Sequence, residues 1–94
     1  MLFAVTGFFK PGVDTAPGNL QVDFNEHLGQ PNLNIRLAGA LVDEHGAKIG
    51  FMGVVETETF EQAEAYLRAS PYYQADLYDR TEVAQFDVQV GRLS

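Results

Sequence analysis

The sequence predicts a single α+β domain whose four strands and two helices follow in βαββαβ order. Three observations point there. Four runs rich in β-branched and aromatic residues are separated by turn residues. Two intervening stretches repeat apolar residues at spacings of three and four. The chain has 94 residues, 46% of them hydrophobic, which gives room for one core over residues 1–94.

Residues 2–9 (Leu-Phe-Ala-Val-Thr-Gly-Phe-Phe) read as the first strand, stopped by Lys10-Pro11-Gly12. Both alternate sets are largely apolar, so both faces are expected to be covered. After a Pro- and Gly-rich loop, Leu20, Phe24 and Leu28 recur at spacing four and predict a short amphipathic helix. Asn19 is its candidate N-cap, and Gly29 and Pro31 end it. Residues 34–42 form the second strand, Asp43-Glu44-His45-Gly46 turns the chain, and residues 49–55 return as the third. Thr59-Phe60-Glu61-Gln62 has capping-box spacing, with Thr59 as N-cap, and Phe60, Ala63 and Leu67 make the stripe of a second helix. Ser70-Pro71 closes that helix, because proline disfavours helical backbone at the residue before it. Residues 72–80 read as a loop or short helical turn. The last strand is expected over 81–90, with Ala84, Phe86, Val88 and Val90 on its apolar face.

This order is a split βαβ, or ferredoxin-like, arrangement around a four-stranded antiparallel sheet. Strands one and three are then central and strands two and four are edges. Two helices shield one face of such a sheet. The opposite apolar face needs a partner, and a second copy of the chain is the simplest candidate. A homodimer is therefore expected.

Six Lys and Arg against thirteen Asp and Glu leave a net charge of −7. Without a basic cluster, nucleic acid and anionic membrane surfaces are poor partners, whereas a small-molecule ligand stays open. Cysteine is absent, which excludes thiol nucleophiles and sulfur-ligated zinc. The apolar N-terminal run has no basic lead-in and ends within nine residues, so a cytoplasmic protein is the expectation. Asp43-Glu44-His45 carries metal-capable side chains, but neighbours in a tight turn rarely converge on one ion. No metal and no cofactor are expected.

The chain resembles the YciI-like (YCII-related domain) family. The matching residues are Met1 to Val5, Lys10-Pro11-Gly12, Leu37 to Leu41 running into Asp43 to Gly46, Ile49-Gly50, the stretch 60–67, Ser70-Pro71-Tyr72 and Ala75 to Tyr78. The resemblance covers nearly the whole chain. It implies a ferredoxin-like homodimer of α+β-barrel type. Some members are enzymes that use a His early in the first helix with an Asp at the end of the first strand, and many have no known activity. Here Phe9 stands where the Asp is common, and Ser70 replaces the Asp that often precedes Pro-Tyr. Ungapped spacing puts Phe24 at the histidine position, and compensating gaps put His27 there.

Candidate site residues follow. His27 could act as general base, oriented by Asp23 one helical turn before it. It could equally be a polar residue favoured by the dipole at a helix C-terminus. Phe9, Phe24, Ser70 and Tyr72 are candidate ligand-binding residues, with core packing as the competing role for the aromatics. Arg36 is a cation in an apolar strand. It suits a carboxylate ligand, an edge position or an acid across the dimer. The expected function is a homodimeric binding or assembly domain without robust catalysis. The alternative is a small lyase or isomerase acting on a polar ring compound, with His27 as base.

Overall fold

The computed structural model describes residues 1–12 and 34–91. The helix predicted over 20–28, and with it Asp23, Phe24 and His27, lies outside the described residues.

Strands β1 (Leu2–Phe9), β2 (Asn34–Val42), β3 (Lys48–Glu56) and β4 (Tyr78–Gln85) form one sheet in the order β2-β3-β1-β4, with helices α1 (Phe60–Arg68) and α2 (Pro71–Gln74) between β3 and β4. Every neighbouring pair is antiparallel, so β1 and β2 run parallel with β3 between them. Strands so placed need a crossover connection, and residues 10–33 supply it. The fold is α+β and ferredoxin-like, with β1 and β3 central as the polarity pattern predicts.

The two faces differ sharply. Along β1 every second residue (Phe3, Val5 and Gly7) is buried, and each pairs with β3 at Val55, Gly53 and Phe51. Phe3, Val5 and Val55 pack against Ala63, Tyr66 and Leu67 of α1, which makes this the helix-covered face. Leu2, Ala4, Thr6 and Phe8 point the other way, beside Met52 and Val54 of β3 and Leu37 of β2. None of the described helices packs on that second face, and Leu37 is 47% exposed there.

α1 begins where its capping box predicts. Thr59 Oγ1 accepts the Gln62 N–H at 3.1 Å, and Gln62 Oε1 accepts the Thr59 N–H at 3.3 Å. Between β2 and β3, Asp43 Oδ1 accepts the N–H groups of His45 and Ala47 at 2.9 and 3.0 Å, while Gly46 takes a positive φ of 81°. That aspartate is committed to the turn.

The last strand needs correction in place and in phase. It starts at Tyr78, because Phe9 pairs with Tyr78 and Lys10 N donates to Leu77 O. It stops at Gln85, because its partner β1 begins at Leu2 and the final rung is Phe86 N to Leu2 O, 2.8 Å. Beyond that rung Val90 is 95% exposed. The β1 register sets Val83 opposite Val5, so Val83 turns to the core while Ala84 faces away from the helices.

Candidate ligand site

At the C-terminal end of β1 the chain gathers four aromatic rings from four elements. A register shift between Phe8 and Phe9 brings the last residue of β1 opposite Tyr78. The Phe9 and Tyr78 rings stack at 5.4 Å with an 18° tilt. Phe51 of β3 stacks on Tyr72 of α2 at 5.4 Å and 13°. Phe9 joins the two stacks edge-on, 5.8 Å from Phe51 and 5.3 Å from Tyr72. Such geometry satisfies the ring quadrupoles as well as burying area.

The connection between Tyr72 of α2 and Tyr78 of β4 is tied down locally. Lys10 Nζ meets Asp76 Oδ2 at 3.0 Å, Leu77 N donates to Tyr72 O at 3.1 Å, and Gln74 Nε2 donates to Arg68 O at 2.6 Å. Asp76 sits at φ +58°, a left-handed turn position that aspartate tolerates.

Beneath the cluster lies a partly open cavity of about 30 Å³, lined by Val5, Gly7, Phe51, Tyr66, Leu67, Ser70 and Tyr78. Ser70 is only 3% exposed, and among the described residues its hydroxyl meets no partner in hydrogen-bond geometry. It stands at the N-cap position of α2 yet makes no side-chain cap bond. The Tyr78 phenol is its polar neighbour, close enough for the Ser70 side chain to favour the phenolate by hydrogen bonding. Burial pushes Tyr78 up to about 12, with the Ser70 hydroxyl acting in the opposite direction. Tyr66 is also pushed up to about 12, by burial first and by Tyr78 second. Burial raises Tyr72 as well. The tyrosines lining the site are therefore neutral donors at ordinary pH.

Of the residues expected at a site, the structure brings Phe9, Ser70 and Tyr72 to this one place. Arg36 is elsewhere. Its Nε lies 3.1 Å from Glu56 Oε2, and its Nη2 also bonds that oxygen, across β2 and β3 of the same chain. The guanidinium holds the Glu56 carboxyl below its ordinary value. Tyr78, Tyr66 and Gly7 are the site residues that sequence reasoning missed. Tyr78 was concealed by the charged Asp79-Arg80 that follows it, which reads as loop. Gly7 carries the clearest signal in retrospect, a glycine inside an apolar strand, which marks close approach. A Cβ there would lie 2.5 Å from the Tyr78 ring.

Fold and site together define a ferredoxin-like α+β domain with an aromatic, hydroxyl-bearing recess between sheet and helices. No family model matches the chain, and no curated protein sequence matches it. Among solved structures it is similar to TftG, the 5-chloro-2-hydroxyhydroquinone dehydrochlorinase of Burkholderia phenoliruptrix AC1100, in complex with 2,5-dihydroxybenzoquinone. The TM-score is 0.69 at 19% identity, over 93% of this chain and 94% of that one. At that identity the likeness establishes the fold. No described helix is long and apolar enough to cross a membrane.

Proposed function

We propose that this protein is a YciI-like domain that pairs with a second copy and holds a small planar ring compound at the end of β1, without acid–base catalysis. One observation carries the reading. Phe9, where the resemblance places the aspartate of the His–Asp pair, is built into an aromatic cluster and offers no carboxylate. Stacked ring walls suit a flat ligand through dispersion and quadrupole contacts. The compound in the TftG complex makes 2,5-dihydroxybenzoquinone a reasonable first probe. Pairing is supported by the apolar second face of the sheet, where Leu2, Phe8, Met52 and Leu37 lie without a described helix over them.

The test is a titration of the protein with that quinone, followed by amide and aromatic NMR and by the quinone's own absorbance. Shifts confined to Phe9, Phe51, Tyr72 and Tyr78, with the quinone unconsumed, support binding without turnover. No shifts up to millimolar quinone would refute it. Sedimentation at micromolar concentration should report a dimer, and a well-folded monomer would refute the pairing.

A second reading is favoured by the fold likeness to a dehydrochlorinase. In it His27 is the general base of an elimination or isomerisation and Asp23 orients it. Quinone consumption abolished by His27→Ala, with binding retained, would establish that reading in place of the first.

A further inference from the structure

We infer that the cavity at Ser70 recognises a single neutral oxygen, a carbonyl or hydroxyl carried by the ring ligand, with Ser70 Oγ as its hydrogen-bond partner. The inference rests on the ring-binding reading above and names the ligand atom that the site reads.

The Ser70 hydroxyl is buried, meets no partner in hydrogen-bond geometry among the described residues, and makes no side-chain cap bond. The space in front of it, about 30 Å³, matches one oxygen atom with its attached carbon and is too small for a ring. Its other described walls are Val5 and Gly7 of β1, Phe51 of β3 and Leu67 of α1, which are apolar, and Tyr66 of α1 and Tyr78 of β4, which add neutral phenols. Because the cavity is open on one side, a flat body at its mouth can lower one oxygen to Ser70 while its ring lies against Phe51 and Tyr78. Among the described residues no cation lines the space, and the chain carries a net −7, so the site is unsuited to a carboxylate or phenolate. The group admitted is neutral.

The experiment compares acetophenone with isopropylbenzene, which has nearly the same shape but a methyl in place of the oxygen. Dissociation constants are measured by NMR titration on the full chain and on Ser70→Ala. The wild-type protein is expected to prefer acetophenone three- to tenfold, the range of one net hydrogen bond. Ser70→Ala should bind isopropylbenzene unchanged and lose the preference. If the wild-type chain binds both compounds equally, the oxygen site is refuted while ring binding stands. If the preference survives in Ser70→Ala, another group reads the oxygen and the assignment of Ser70 is refuted. If neither compound binds, the ring-binding reading fails and this inference fails with it. Benzoate serves as the charge control: binding as tight as that of acetophenone would overturn the requirement for a neutral group.

Discussion

Alanine at position 50 would set its Cβ against the Gly7 carbonyl oxygen, well inside van der Waals contact, with Gly7 C and Phe8 Cα each 3.2 Å away. All three atoms are backbone of the central strand β1, so no side-chain rotation relieves the clash and the β1–β3 ladder must part locally. Overpacking typically costs about 1–3 kcal/mol, and a backbone obstacle belongs at the upper end. The smaller entropy of the unfolded alanine chain returns about 0.4–1 kcal/mol. The net loss for Gly50→Ala is about 2–3 kcal/mol, or roughly 10–20 °C in Tm for a domain of this size. At Gly7 the obstacle is the Tyr78 ring, at 2.5–2.8 Å. That ring can swing away, but only by leaving its stack on Phe9, so Gly7→Ala should lose about 1–2 kcal/mol. Gly53, in the same strand as Gly50, is the control. Its nearest obstacles are Leu37 O at 3.7 Å and Ala38 Cβ at 3.9 Å, ordinary contacts, and Gly53→Ala should be neutral or stabilising by up to about 1 kcal/mol. The chain has no tryptophan, so urea unfolding is followed by far-UV circular dichroism, with an unchanged m-value as the check that only stability moved. A wild-type midpoint for Gly50→Ala, or an equal loss for Gly53→Ala, would refute the packing argument.

Three further outcomes are expected. Ser70→Ala removes the unsatisfied hydroxyl and should raise stability by about 1 kcal/mol, seen as a Tm increase of roughly 4–8 °C; a lower Tm would mean that the hydroxyl has a partner in the folded protein. Thr59→Ala breaks both halves of the α1 capping box and should cost about 1 kcal/mol by the same denaturation assay, with Thr59→Ser restoring most of it. Tyr66 and Tyr78, each raised from 10.0 to about 12 by burial, make the fold sensitive to alkali. Because the folded values lie above the unfolded one, their contribution is complete below pH 10 and is lost as pH rises through about 12. The loss is on the order of a few kcal/mol for the two together. Circular dichroism and phenolate absorbance should therefore change together in that window, and Tyr78→Phe should move the midpoint upward. Because Tyr73 is exposed, the readout is residue-specific: phenolate forming at Tyr66 or Tyr78 by ring NMR at pH 10 without unfolding would refute the burial of these rings.

Much of the architecture was legible without coordinates, because it depends on short-range patterns. Period two bounded by Lys10-Pro11-Gly12 located β1, the Asp43 to Gly46 turn located the hairpin, and Thr59 with Gln62 located the start of α1. Each signal lies within a few residues of what it specifies. The apolar content of both faces of β1 and β3 likewise announced them as central, and the order β2-β3-β1-β4 agrees. What only the tertiary structure decided was phase and convergence. Alternation along β4 reveals that two faces exist but not which is inner. The hydrogen-bond ladder from Val5 to Val83 settled that, and the same ladder ended the strand where β1 ran out. Phe9, Phe51, Tyr72 and Tyr78 lie up to 69 positions apart in the chain, and nothing local says that their rings meet or that Ser70 lies buried beneath them. Arg36 is also decided at long range, by Glu56 across the strand pair. Register is a property of two strands at once, so neither strand's residues encode it alone.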